Sequence, residues 1–551
     1  MARIASLLRL TVTLTVLLGA SCGHWSQPKL QLRTAAERSV GQPFTLEDEG
    51  LSESLRKIQS LPTNGNSEDI EKFVVSLEKR INLHDWKYPL RIAGKHGEWE
   101  LQFDDKPLPF QGKPEWSPSL FDRVLPASSF RPQAYTNIAA GEGTGAPVVL
   151  AYENVEQLRS ERAFRPGNGI YVPGTVVLEF GHPARSQGTV PVRLRILNTF
   201  DHRHISVRGR DVPLAWNTTS AVECNLENHY VRKNGLIGLL RPDKRSEDSG
   251  LFGINAFDPK KIPVIFVHGL KSSPAIWKNA LNDIYNDPEL CARYQPLLFM
   301  YPSGLPVPAS AARLRESIQE YRDLWDPRHE SRAFEQMVLV GHSMGGLLSR
   351  LQIIDSGDAL WKAFFSRPVD QIPWIPPEER KNLDASLIFK HQSAVKRVVF
   401  ISVPHKGSQM ADLRIVQLFV QLIKLPVQAA QLATTALTED PRYLNPALLN
   451  FQSLGLRSVD MLSPKHPYFA AINMRPLTAP FHSIIGNRGK DTSREDSSDG
   501  VVPYWSSHVE GAQSELIVPY GHSCTTKPET VSEILRILRL HAQGKAVAAG
   551  M

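Results

Sequence analysis

Residues 337–346 read Met337-Val338-Leu339-Val340-Gly341-His342-Ser343-Met344-Gly345-Gly346. An apolar strand-like run ends at Val340, and a helical pattern begins at the serine. Gly341 to Gly345 fits G-x-S-x-G, a weak signal as a bare pattern and a strong one between a strand and a helix. A tight strand-to-helix turn exposes the serine above a helix N-terminus, which favours developing negative charge. Gly341 and Gly345 remove the Cβ atoms that would clash in such a turn. The structural alternative is a glycine-rich packing turn.

Outward from this turn, strands and helices alternate. Ile262–Val267, Leu297–Tyr301, Met337–Val340, Val398–Ser402, Phe481–Ile485 and Glu515–Val518 read as buried strands. Residues 274–287, 308–325, a stretch from Ser343, and 529–541 read as helices. Such alternation implies an α/β fold, a mostly parallel sheet with helices on both faces. Its functional residues then lie at the carboxyl ends of the strands. A serine hydroxyl needs a base to become a nucleophile. His522 follows the last strand in Val518-Pro519-Tyr520-Gly521-His522-Ser523, and Asp499 follows the fifth in Ser498-Asp499-Gly500-Val501-Val502-Pro503. The order Ser343, Asp499, His522 is the one this fold uses, the acid holding the imidazole tautomer. Asp496 and Asp491 are rivals for the acid. His508 is a rival for the base, disfavoured because it precedes the last strand. Two backbone donors are expected for an oxyanion, the N–H of Met344 and the N–H of Leu270 in Val267-His268-Gly269-Leu270.

Residues 260–350 and 481–524 resemble the α/β-hydrolase superfamily, more narrowly its bacterial lipase-like and esterase-like members. The resemblance rests on VIFVHGL (264–270), VLVGHSMGG (338–346), SVPHKGS (402–408), the SDGVVP loop (498–503) and the GHS loop (521–523). It implies a carboxylic ester hydrolase that works through an acyl-enzyme and needs no cofactor. Some bacterial lipases carry a calcium-binding Asp two residues after the catalytic His. Cys524 stands there in this chain, so no metal site is carried over. Insertions at 355–393 and 405–480 are expected to form a cap. Leu413, Ile415, Val416, Leu418, Phe419, Val420, Leu422 and Ile423 give the second an apolar face, suited either to a lid over a lipidic substrate or to a buried helix. His405 and Lys406 either line the pocket or serve structure. Acyl transfer by the same triad, peptide cleavage, and a lipid-anchored binding protein on an inactive hydrolase scaffold remain as alternatives.

The half before residue 250 follows another rule. Trp99, Leu101 and Phe103 alternate with Glu98, Glu100 and Gln102, and Val192, Leu194 and Ile196 alternate with Arg193 and Arg195. Apolar runs at 147–152 and 175–180 lie between turn residues, and 67–82 reads as a helix capped by Ser67. A β-rich, sandwich-like domain is expected over 46–250, with the hydrolase domain over 255–545. No family resemblance is legible in this half. The whole chain of 551 residues has 42% hydrophobic and 22% charged residues, which excludes a disordered chain and a polytopic membrane protein. A net charge of +7 without a long basic run argues against nucleic-acid binding.

At the N-terminus, Arg3 and Arg9 flank the apolar run Leu10–Ala20, shorter than the ~20 residues that span a bilayer. An export signal over 1–21 is expected. Gly19-Ala20-Ser21-Cys22 resembles a bacterial lipoprotein lipobox, with Gly19 where that family usually has Leu. The resemblance implies a lipid on Cys22, a tether over 22–45, and an envelope protein on a membrane surface, the outer membrane in a Gram-negative cell. An ordinary cleaved signal is the alternative. The four cysteines show no zinc or disulfide-framework spacing, and Cys224 with Cys291 is the first pair to test.

Overall fold

Alternation of apolar and polar residues builds the first sheet. Its strands are Phe44–Glu47 (β1), Leu90–Gly94 (β2), Gly97–Phe103 (β3), Arg123–Pro126 (β4), Ala146–Tyr152 (β5), Ile170–Phe180 (β6) and Val190–Asn198 (β7). They lie in the order β1-β2-β3-β7-β6-β5-β4. β1 with β2 and β3 with β7 pair parallel, and the remaining neighbours pair antiparallel. This computed structural model describes residues 44–61, 67–79, 89–103, 121, 123–132, 134–152, 164, 169–183, 188–200, 202–207, 209–227, 249–373, 375–407, 441–450, 463–489 and 493–544. The signal, Cys22, nearly all of the tether, Asp491 and the apolar stretch 413–437 lie outside the described residues.

Helices supply the layer that covers this sheet. Glu49–Ser60 (α1) starts at Asp48, whose carboxylate accepts the Leu51 N–H at 2.8 Å. Leu51, Leu55 and Ile58 recur on one face of α1, and Ile70, Phe73, Val74 and Leu77 on one face of Ser67–Glu78 (α2). With Thr218–Glu227 (α3) they bury Trp99, Leu101, Val192, Leu194 and Ile196. The region is β-rich, as the alternation implies; its seven-stranded sheet is mixed and backed by helices, and two short antiparallel pairs, His204–Val207 with Arg210–Pro213 and Ala140–Gly141 with Trp216–Asn217, accompany it. α3 is a helix within the stretch 46–250 that the sequence marks as β-rich.

The second sheet comprises Gly250–Gly253 (β8), Ile262–Val267 (β9), Tyr294–Met300 (β10), Met337–His342 (β11), Val395–Ile401 (β12), Phe481–Gly486 (β13) and Ser514–Val518 (β14). Its order is β8-β10-β9-β11-β12-β13-β14. Every neighbour is parallel except the edge strand β8. Lys278–Asn286 (α4) and Pro528–Ala542 (α7) share a core with Val264, Phe266, Val338 and Val340 on one face. Val307–Trp325 (α5) and Met344–Arg350 (α6) pack with Ile265, Val267, Leu339 and Phe400 on the other. Burial on both faces explains why these strands read as unbroken apolar runs. This is an α/β-hydrolase core preceded by a β-rich region. The three described cysteines, Cys224, Cys291 and Cys524, are free thiols, so the Cys224–Cys291 pairing is not made.

The two sheets are joined through α4. One apolar core runs from Leu51 and Phe73 through Phe200, Val222 and Leu226 to Trp277, Ile284, Tyr285 and Leu538. Within it, the Thr219 hydroxyl accepts the Ala139 N–H and donates to Asn282 Oδ1, both at 2.7 Å. All three residues are fully buried. Replacing Thr219 by Val leaves a buried donor and a buried acceptor unpaired, an expected loss of about 2–4 kcal/mol. Urea unfolding followed separately by probes in each half should register it as a shift of one shared transition. Two separated transitions would contradict the common core.

Candidate active site

Ser343 stands between β11 and α6 with φ 53° and ψ −125°, a left-handed conformation rare for a non-glycine residue. Three contacts hold it there. Its N–H donates to Ile401 O on β12 at 2.9 Å, and its own carbonyl accepts the Gly346 N–H at 2.9 Å. Gly345 packs so closely beneath β9 that a Cβ would lie 2.3 Å from the carbonyl oxygens of Val267 and His268. The glycine expected at this turn is therefore required by a backbone-to-backbone approach.

The structure brings the three residues singled out by the sequence into one series. His522 Nε2 lies 2.9 Å from Ser343 Oγ, and His522 Nδ1 lies 2.7 Å from Asp499 Oδ2. Asp499 is 2% exposed. Burial alone would push its carboxyl up, but His522 and the N–H groups of Val501 and Val502, donating to Oδ1 at 2.8 and 2.6 Å, hold it below its ordinary value. An ionised Asp499 can only accept, so Nδ1 of His522 carries the proton and Nε2 is the acceptor facing the serine hydroxyl. The backbone of His522 is held as well. Its N–H donates to Asp499 O at 2.9 Å, and its carbonyl oxygen lies 2.8 Å from His342 Nε2.

The loop after β9 comes up beside the serine. A Cβ on Gly269 would lie 2.9 Å from Ser343 Cβ, so only glycine allows this approach. Tyr301 donates to His268 O at 2.8 Å and stacks on the His268 ring at 4.5 Å, which fixes the loop. Lys271 N–H is committed to Ser303 Oγ at 3.2 Å. Among the described residues the N–H groups of Leu270 and Met344 have no acceptor. The arrangement offers a base-activated hydroxyl next to backbone donors that an anionic oxygen could use.

The rivals lie elsewhere. Asp496 pairs with Ser493 Oγ at 2.6 Å on the surface. His508 pairs with Glu515 at 2.6 Å and does not join the series. His405 is fully buried, with Nδ1 3.0 Å from Arg350 and its ring edge-on to Phe400, so it serves the packing under β12. Lys406 is exposed. The two insertions meet each other: Asn445 N–H donates to Phe364 O at 3.0 Å and Ser366 N–H to Tyr443 O at 2.9 Å. Arg315 of α5 donates to Ala385 O at 2.7 Å and lies over the Phe389 ring, which ties residues 377–389 to the core. Cys524 is buried with its sulfur 3.7 Å from Ser402 Oγ. Among the described residues no group of three His, Cys, Asp or Glu side chains could hold a metal ion. His342 was not marked by the sequence, because the position before the serine in G-x-S-x-G specifies no residue type.

No protein-family model matches the chain, and no curated protein sequence matches it. Among solved structures it is similar to the mature form of Bacillus licheniformis lipase BlEst2, at 18% identity over 51% of this chain and 94% of that one, with a TM-score of 0.30. Staphylococcus hyicus lipase is similar at 14% identity over 52% of this chain and 97% of that one, with a TM-score of 0.30. The metagenomic carboxyl esterase MGS0156 is similar at 14% identity over 53% of this chain and 78% of that one, with a TM-score of 0.28. The fold assignment rests on the strand order and the turn at Ser343.

Several histidines near the site and beneath the sheet are held neutral. Burial lowers His268 to about 4, and burial with the neighbouring His522 lowers His342 to about 3. Burial and then Arg397, whose guanidinium donates to Nε2, lower His482 to about 3. Each group is depressed from 6.5, so below that pH the unfolded chain binds protons that the folded chain refuses. Stability should therefore fall as pH drops from 6.5 towards 4, by up to ~1.4 kcal/mol per pH unit for each histidine. Tm measured across this range should decline steadily, and His482→Gln should flatten the slope. A Tm independent of pH over this window would contradict the assignment.

Proposed function

We propose that the protein hydrolyses carboxylic esters through an acyl-enzyme on Ser343. The observation that carries this reading is the unbroken hydrogen-bond series from Asp499 through His522 to Ser343, with uncommitted N–H groups at Met344 and Leu270 in the two adjoining loops. Ser343 Oγ attacks the ester carbonyl as its proton passes to His522 Nε2. Asp499 stabilises the imidazolium and keeps its orientation without taking the proton. The N–H groups of Leu270 and Met344 hold the tetrahedral oxyanion. Collapse breaks the bond to the leaving oxygen, which departs with the proton from His522. A water then attacks the acyl-serine, gives its proton to the same nitrogen, and the carboxylic acid is released as the serine is re-formed.

Esters of apolar acids are the substrate class that fits the sequence of residues 413–437, and a lipid anchor on Cys22 would place the enzyme on a membrane surface of the cell envelope. Turnover of p-nitrophenyl esters tests the chemistry. Ser343→Ala should lose at least ~10,000-fold in kcat, and Asp499→Asn a comparable factor by favouring the wrong tautomer. Undiminished turnover by Ser343→Ala would overturn the mechanism. A mature N-terminus without lipid on Cys22, seen by mass spectrometry, would overturn the anchor.

A further inference from the structure

We infer that His342 is a positioning residue for the base: its side chain grips the backbone of the His522 loop and ties it to the nucleophile turn. The inference rests on the ester-hydrolase reading and deepens it. His342 is the residue before Ser343, so its backbone moves with the nucleophile. The residue is 6% exposed, its ring sits 4.8 Å from the His522 ring, and its Nε2 is 2.8 Å from the His522 carbonyl oxygen. A carbonyl can only accept, so Nε2 of His342 carries the hydrogen. Its Nδ1 is then the unprotonated nitrogen. That atom is buried without a partner and faces the backbone of Gly269, where a Cβ would come within 3.1 Å of it.

One imidazole thus joins the nucleophile turn to the base loop, with its other nitrogen lying beside Gly269. The backbone of His522 is held on both sides of its Cα, its N–H by Asp499 O at 2.9 Å and its carbonyl by His342. A base whose side chain must meet an acid on one side and a serine on the other has two torsions to satisfy both. Holding its backbone removes the freedom that would otherwise blur that alignment, and small misplacements of reacting groups are costly in rate. Burial also keeps the His342 ring neutral, so the clamp adds no positive charge next to the imidazole that must accept a proton. A phenylalanine at 342 would fill the same space and grip nothing. A glutamine would return an amide N–H near the position of Nε2.

The experiment compares His342→Phe, His342→Gln and Ser343→Ala with the parent chain on a p-nitrophenyl ester, with KM, kcat and Tm measured for each, and with the rate of labelling by a fluorophosphonate probe. His342→Phe should lower kcat and the labelling rate 10- to 100-fold while KM stays within twofold, and His342→Gln should regain most of that loss. Equal Tm values for the two variants would separate placement of the base from stability. Parent-like kcat in His342→Phe, or a His342→Gln as slow as His342→Phe, would overturn the inference. If His342→Phe does not fold, the Gln variant decides alone: a kcat reduced more than 10-fold in a folded protein overturns it. The Ser343→Ala arm keeps the two ideas apart, since turnover there would sink the ester-hydrolase reading itself.

Discussion

The backbone of Ser343 is the constraint on which the candidate site depends. A serine at φ 53° costs about 1–3 kcal/mol and persists only where its surroundings over-determine it. Here β12 takes its N–H, α6 takes its carbonyl, and Gly345 is wedged under the carbonyls of β9. The result lifts one hydroxyl above the carboxyl edge of the sheet, where the loops after β9, β13 and β14 also end. Each of those loops has one route to the serine, and each arrives with a different chemical group: a backbone N–H, a carboxylate and an imidazole. The sheet does the converging, since parallel strands deliver all their following loops to the same edge.

The site also sorts its histidines by burial. His268, His342 and His405 lie within the core around the turn and are held neutral by burial. His522 faces a buried carboxylate instead, and its side chain keeps 19% exposure. A carboxylate that is both buried and ionised needs compensation, which comes from two backbone N–H groups on one oxygen and the imidazole on the other. The arrangement therefore offers a single imidazole to the serine hydroxyl while its neighbours remain uncharged scaffolding.

Much of this was legible before any coordinates. β9 spans the residues that the apolar run Ile262–Val267 marks, and the order of Ser343, Asp499 and His522 along the chain matches the order of the loops that meet. What stayed hidden has physical reasons. β8 is four residues of Gly-Leu-Phe-Gly beside charged, turn-forming sequence, too short to carry a period. α3 has threonines and a serine in its first turn and a weak apolar stripe, so a helix is not its obvious reading. The layer over the first sheet is only partly legible, because alternation reports that one face is buried without saying what buries it. His342 and Asn279 act through contacts with residues far along the chain, and no local pattern reveals such partners.

Asn279 also bears on why half the chain precedes the hydrolase core. Its amide nitrogen donates both to Thr136 Oγ1 at 3.1 Å and to Thr526 O at 2.7 Å, four residues beyond His522. One turn along α4, Asn282 donates to Asn137 O at 3.1 Å and accepts from Thr219. Apolar burial alone is not directional, so the contact of Phe200 with Tyr285 sets no specific pairing by itself. Buried amides are directional, since each loses its partner on displacement. The two asparagines therefore fix the register between the first sheet and α4, and Asn279 passes that register to the end of the base loop. On this argument the β-rich half buttresses the second sheet through α4, and the face it presents to α4 supports the candidate site along with the strands beneath Ser343.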